Sequence, residues 1–488
     1  QHPAAGTTSS GKRSAGCVVD RDCDDGHYCN GAERCGQGVC SVGADPCRGQ
    51  LCDELAGACS SARPEATITL VPETKFQTIV GWEAVPEAGE NPADSGGATY
   101  AGYKDELLDA AVNDLGITRL RMPVPCGIEG RAHRYEIIND NADPKTIDPK
   151  GFEFSNFDLI FEAVVMPMKE RVERNGEHLW LTLDYIANLD EGKAAAVANF
   201  HAQHAEEYAE FVLAVYQHVK EKYGVIADAW EVINEPDWQG KDFTGARIGA
   251  VILAAADLLR AHGFTPRFIA PSPTKASNAT RFFEELSKVT PAASFVTELS
   301  YHRYSPAPTR LELMRINEVA RAAHVGTSML EHIGSGVDDL YEDLVYADAV
   351  AWEQYVLAYG GGADNGEKYY GIANPGTPQQ HLQMQSSTKF LRQYFKFIRP
   401  GAVRIGVGST QAKFRPVAFI NKPGTMVTVV RAMAPGSFAI AGLREGRYGI
   451  KYTTLREYDV DLPDQTIKRG EPLLTQIPGE GCITIYSR

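Results

Sequence analysis

Between about residue 67 and residue 400, short apolar runs alternate with longer segments whose apolar residues recur at helical spacing, and few folds accept that pattern. The runs QTIVGW, ITRLRMPV, LWLTLDYI, ADAWEVIN, RFIAPSP, SFVTELSYHRY and VGTSMLEHI suit strands buried on both faces. Between them lie helices. Tyr208, Phe211, Val212, Val215, Tyr216 and Val219, for example, follow the i, i+3, i+4, i+7 stripe of a helix with one buried face. Alternation sustained over this length predicts a parallel sheet wrapped by helices. Seven strands are legible, and the eighth falls on either EQYVLAYG (353–360) or EKYYGIA (367–373). Eight such units over roughly 330 residues predict an α/β fold of the (β/α)8 TIM barrel type, with insertions.

The flanks have a different character. After Pro400, the runs VRIGV, VAFIN, MVTVVRAM, SFAIAGL, YGIKYTTL and CITIYSR are short, strand-like and separated by Gly and Pro turns. They predict a C-terminal antiparallel β-sandwich over 401–488, paired with the early run at 67–76 that contains TITLV. Eight of the ten cysteines fall between Cys17 and Cys59. That stretch cannot build a hydrophobic core, so an even set of cysteines reads as a small disulfide-rich N-terminal segment made in an oxidising compartment, with its pairing left open. A zinc site is the weaker reading, because no C-x2-C pair opens the series. Residues 1–16 are small and polar and are expected to be a disordered tail, and residues 60–66 a linker. The DRDCDDG run resembles a calcium loop only superficially, since Asp25 and Gly31 stand where that loop needs glycine and glutamate. Cys126 and Cys482 read as two buried thiols, with a bridge between them as the alternative.

A balance of 48 basic against 63 acidic residues gives a net charge of −15. Such a surface repels nucleic acid and anionic lipid, and no basic stripe offsets it. No apolar run approaches the roughly 20 residues of a membrane span. The chain opens on a polar stretch, so an export signal is expected to have been removed or left out. Together these features predict a secreted or cell-surface monomer without nucleic-acid partners.

In a barrel of this kind the site lies at the C-terminal ends of the strands. WEVINEPDW (230–238) puts Asn234 and Glu235 at the end of the fourth run, and SMLEHIG (328–334) puts Glu331 at the end of the seventh. Two carboxylates at those mouths can converge across the barrel top. Glycoside hydrolysis with retention needs such a pair, one acid and one nucleophile, about 5–5.5 Å apart. Arg121, in the second run, is a cation suited to keeping the nucleophile ionised, with a structural ion pair as its alternative role. Trp82, Asp184, Tyr185 and Trp238 are strand-end candidates for sugar contact, each with a core position as its alternative. Glu83 and Asp237 read as neighbours of the site or solvated groups, and His201 and His204 as solvated histidines on a polar helix face rather than metal ligands. No metal or organic cofactor is implied.

Asn-Glu-Pro after the fourth strand and a glutamate after the seventh resemble the signature of clan A of retaining glycoside hydrolases. KFQTIVGW and YFKFIRPGAVRI are most similar to family 30 of that clan, and WEVINEPD to family 39. The resemblance implies Glu235 as acid/base, Glu331 as nucleophile and Asn234 as partner of a sugar 2-hydroxyl. It further implies Arg121 as support for Glu331, with His302 and Tyr304, in SYHRY, lining the subsite. A β-sandwich assembled from both ends of the catalytic chain is also implied. Gly81-Trp82-Glu83 departs from the Gly-Phe-Gly usual in family 30. The segment from Cys17 resembles a cysteine-rich repeat of secreted myxobacterial proteins. The implied partner is a carbohydrate substrate. A non-catalytic carbohydrate-binding protein and a transglycosylase are the alternatives on the same scaffold.

Overall fold

The computed structural model describes residues 16–47, 50–54, 57–61, 63–91, 97–128, 139–187, 200–238, 242–360 and 363–488. Apart from Gly16, the expected N-terminal tail lies outside these residues, as does the loop that follows the third strand from Asn188 to residue 199. The chain divides into two compact units, Ile79–Thr388 and Gln1–Thr78 with Lys389–Arg488. The boundaries expected at 67 and 400 thus move inward at both ends.

The first unit is an eight-stranded parallel barrel. Its strands are β1 (Gly81–Val85), β2 (Arg119–Pro125), β3 (Trp180–Ile186), β4 (Ala229–Glu231), β5 (Phe268–Pro271), β6 (Val296–His302), β7 (Gly326–Glu331) and β8 (Ala349–Gly360). Each pairs with the next, and β8 closes the ring by pairing with both β7 and β1. The first half of β8 makes that closure, while Val356–Gly360 diverge to pair with Lys368–Ala373. Both candidate runs for the eighth strand are therefore strands; the first belongs to β8, whose closing pairs begin upstream of it at Ala349.

Helices cover the outside. The helix Ala205–Tyr223 packs Tyr208, Phe211 and Tyr216 against Trp230 of β4, and it stops at Gly224, whose φ of 67° suits a residue without a side chain. The helix Arg310–Ala323 starts on a capping box in which the Thr309 hydroxyl accepts from Glu312 N–H and the Glu312 carboxylate accepts from Thr309 N–H. Among the described residues, no helix is long and apolar enough to cross a membrane.

The barrel interior is charged rather than oily. Arg119 and Arg121 lie two residues apart on β2, so both point inward. Arg119 donates to both oxygens of Glu298 (2.7 and 3.2 Å) and stands 3.2 Å from Glu83. Glu83 is thus not solvated but fully buried beside Arg119, a neighbour of the site rather than part of its lining.

In the second unit nine strands form one hydrogen-bonded sheet. Ala66–Thr78 lies within it between Val403–Ser409, antiparallel, and Gly436–Ala441, parallel. The expected all-antiparallel sandwich therefore holds one parallel pair. Along Ala66–Val71 buried and exposed residues alternate, putting Ala66, Ile68 and Leu70 into a core shared with Phe438, Ile450 and Ile483. Edge strands Val460–Ile467 and Leu473–Ile477 meet through Gln465 Nε2 donating to Leu474 O (2.7 Å), so the sheet is rolled over that core.

The cysteine-rich segment is held by Cys17–Cys35, Cys23–Cys40, Cys29–Cys52 and Cys47–Cys59. They close loops of 12 to 23 residues. Each such loop removes roughly 3 kcal/mol of unfolded-chain entropy, which replaces the core this segment lacks. The segment rests on the sheet, with His27 at 3.7 Å from Glu457. Cys126 and Cys482 are buried thiols.

Candidate active site

A cleft of about 820 Å³ opens at the C-terminal ends of the barrel strands. Asn234, Glu235, Tyr304 and Glu331 line it, with Arg121 and Asp184 at its floor and Trp238 at its rim.

Glu331 is the last residue of β7. Its Oε1 accepts from the Tyr304 hydroxyl (2.7 Å) and its Oε2 from Arg121 Nη1 (3.0 Å). Burial pushes its carboxyl up, but His302, Arg121 and the hydrogen bonds from Tyr304 and Arg121 outweigh burial and hold it below the ordinary carboxylate range. Burial, with the Glu331 charge and hydrogen bond, in turn raises the Tyr304 phenol.

Glu235 stands four residues beyond the end of β4, on a segment that carries on without regular pairing. Asn234 N–H donates to Tyr185 O (2.9 Å) and Glu235 N–H to Ser272 O (3.0 Å), which stretches the segment between the ends of β3 and β5. These bonds hold Glu235 at φ 53°, a left-handed conformation that costs a non-glycine residue roughly 1 kcal/mol or more. Its Oε1 lies 3.0 Å from His302 Nδ1, at the end of β6. One oxygen of Glu235, one oxygen of Glu331 and one ring nitrogen of His302 all lie within 4.8 Å of one another.

That trio also has the spacing of a metal site, but its chemistry opposes one. The Arg121 guanidinium sits 3.0 Å from Glu331, where it would repel a divalent cation. A second group with metal-like spacing, Cys17, Cys23 and Cys40, is tied up in disulfides.

Arg121 organises the floor. Its Nε and Nη2 donate to the two oxygens of Glu231 (2.7 and 2.9 Å), and Nη2 also donates to Asn234 Oδ1 (3.0 Å). Asp184 Oδ2 is 3.0 Å from the same Nη2. Burial, with Glu231, Glu331 and Glu83 nearby, pushes Asp184 well above the ordinary range despite Arg121, and burial does the same for Glu353.

Several expected positions are corrected. Trp82 is fully buried as the second residue of β1 and does not reach the cleft. Tyr185 faces the helices, where its hydroxyl meets His201 Nδ1 (2.7 Å) beside Phe211 and Tyr208. His201 is consequently buried, whereas His204 is exposed. His302 is fully buried beside Glu235 and does not itself line the cleft. Asp237 lines the cleft and also accepts from Thr274 N–H and Asn278 Nδ2. Unforeseen were Glu231, the main partner of Arg121, and Glu353. Their signal was an acid inside an otherwise apolar strand run.

No protein-family model matches the chain, and no curated protein matches its sequence. Solved structures do. The chain is similar to the catalytic domain of the GH30 xylanase C from Talaromyces cellulolyticus, at 16% identity over 86% of this chain and 100% of that one, with a TM-score of 0.62. It is similar to a conserved exported protein from Bacteroides fragilis, at 13% identity over 86% and 100%, with a TM-score of 0.64. An endo-β1,6-glucanase matches at 16% identity over 88% and 96%, with a TM-score of 0.61. At these identities the likeness shows a common fold.

Proposed function

We propose that this chain is a secreted retaining β-glycoside hydrolase of the family 30 type, acting on a poly- or oligosaccharide. The observation that carries the reading is the approach of Glu235 and Glu331, with an oxygen of each inside 4.8 Å. Retaining enzymes hold their two carboxyl groups about 5–5.5 Å apart, whereas inverting enzymes leave roughly 6.5–9.5 Å for a water. The fold shared with a xylanase and a glucanase supports the reading, and the disulfide-rich segment supports export.

In the proposed reaction, Glu331 attacks the anomeric carbon while Glu235 gives its proton to the departing glycosidic oxygen, and the C–O bond breaks. The glycosyl-enzyme ester is then cleaved by a water whose proton Glu235 takes, which frees Glu331. The environments suit these roles. Glu331 is held ionised by a guanidinium and a phenol, while the side-chain partner of Glu235 among the described residues is an imidazole. Asn234 would meet the sugar 2-hydroxyl, and Trp238, 59% exposed at the rim, offers a face to a pyranose ring.

The test begins with aryl β-glycosides and plant, fungal and bacterial polysaccharides. A 2-deoxy-2-fluoro glycoside of the sugar released is then added as a trap. The expected result is a single covalent sugar adduct on the Glu331 peptide, absent from Glu331→Ala, which has lost hydrolysis. Hydrolysis that survives Glu331→Ala unchanged would overturn the reading.

A further inference from the structure

The barrel interior holds more acids than it can leave charged. Glu83, Asp184, Glu231, Glu298, Glu331 and Glu353 are all buried, and Arg119 and Arg121 are the guanidinium groups among them. An uncompensated buried charge costs several kcal/mol, so some of these carboxyls keep protons. Hydrogen bonding decides which. Glu298 accepts two bonds from Arg119, Glu231 two from Arg121, and Glu331 one each from Arg121 and Tyr304. Those are the bonds of carboxylates.

Asp184 is served differently. The two N–H groups of Arg121 Nη2 are donated to Glu231 and Asn234, so at 3.0 Å Asp184 Oδ2 has the charge beside it but no hydrogen bond from it. Its Oδ1 has no partner among the described residues, although Asp184 is 1% exposed. Glu353 shares that isolation, with neither oxygen bonded among the described residues, but Asp184 is the one that lines the cleft. Oδ1 is enclosed, so the carboxyl meets the cleft through its other oxygen, and a carboxyl short of hydrogen bonds at the floor of a ligand cleft is one that a bound ligand can complete.

We propose that Asp184 is a specificity-determining residue of the cleft, an uncharged carboxylic acid whose O–H donates to one hydroxyl oxygen of the bound sugar. The inference rests on the glycoside hydrolase reading for its ligand, but not for its proton. The facing groups set that state: Arg121 from β2, Glu231 from β4, Glu331 from β7 and Glu83 from β1. The one cation among them is already taken up by Glu231 and Glu331, and any proton lost from Asp184 would leave a further negative charge beside the ionised Glu331.

Two measurements test it. First, the protein is labelled with 13C at aspartate side-chain carboxyls and compared with Asp184→Asn, which identifies the Asp184 resonance. The expected resonance at neutral pH has the shift of a carboxylic acid. A carboxylate shift overturns the proposal whether or not any glycoside is cleaved. Second, the released sugar's aryl glycoside is compared with its monodeoxy analogues. In the wild type, one analogue should lose about 10- to 100-fold in kcat/KM, as expected for one buried hydrogen bond. Asp184→Ala should abolish that discrimination. Asp184→Asn, whose amide turns its oxygen to Arg121 and its N–H to the sugar, should retain it. An ionised Asp184 accepting from the sugar would instead make Asn as poor as Ala, and that result also overturns the proposal. Absence of all glycosidase activity, with a carboxylic-acid shift, would refute the functional reading and the sugar contact but leave the proton assignment standing.

Discussion

Tyr304→Phe removes one hydroxyl from the proposed nucleophile and keeps the ring. That hydroxyl donates to Glu331 Oε1 at 2.7 Å, while Arg121 stays on Oε2 at 3.0 Å. A hydrogen bond to a charged group contributes about 1.5–3 kcal/mol, so its loss should weaken the ionised form of Glu331 by about that much and raise the group in the variant. The sign follows from the donor, which stabilises the ionised form. In the proposed double displacement the free enzyme needs Glu331 ionised, so the acid limb of kcat/KM should move to higher pH. Folding should respond in the same direction. Glu331 is held low in the folded chain, so its contribution to stability is present above its unfolded value and is lost as the pH falls through the folded one. Raising the folded value shrinks that contribution, and acid unfolding should begin at higher pH. The assay is a pH profile of kcat/KM on an aryl glycoside, alongside circular dichroism over the same range. An unmoved acid limb in a folded variant would refute the assignment of Glu331 as the ionised nucleophile.

Three other outcomes are expected. Glu235→Ala should cleave glycosides with very good leaving groups faster than ordinary ones, and added azide should yield a β-glycosyl azide; product analysis that finds no such azide would count against Glu235 as acid/base. Trp238→Ala should raise KM on oligosaccharides roughly 2- to 10-fold with little change in kcat, as for the loss of one aromatic face. Deleting residues 1–62 should leave kcat on a soluble substrate nearly intact, and a large loss would give the cysteine-rich segment a part in turnover.

The sequence carried the barrel because strands buried on both faces read as uninterrupted apolar runs. It did not carry their phase. In β1 every residue from Gly81 to Val85 is buried, so nothing in the pattern distinguishes Trp82, packed away from the cleft, from Glu83, buried beside Arg119. Tyr185, open in the sequence between sugar contact and core, takes the core position, since it and Asp184 are adjacent, equally buried and on opposite faces of β3. The eighth strand was ambiguous because β8 changes partners midway and both candidate runs are paired. His201 reads as solvated among its polar neighbours, and its burial comes from tertiary contacts with Tyr185, Tyr208 and Phe211. By contrast Glu235, Glu331 and Arg121 were legible as charged residues interrupting or ending apolar runs, where burial without function or a partner would be too costly.

The same reasoning gives His302 a role that its sequence context did not suggest. Its Nδ1 faces Glu235 Oε1, and its Nε2 has no partner among the described residues. An imidazole can present either a lone pair or an N–H at Nδ1. A protonated Glu235 can therefore donate to it, and an ionised Glu235 can accept from it, without either heavy atom moving. A carboxyl that must give a proton in one half of a double displacement and take one in the other needs a neighbour of that kind. Arg121 beside Glu331 has no such freedom, because a guanidinium only donates. The asymmetry between an adaptable partner and a fixed one separates the proposed roles of two glutamates that composition and position alone leave interchangeable.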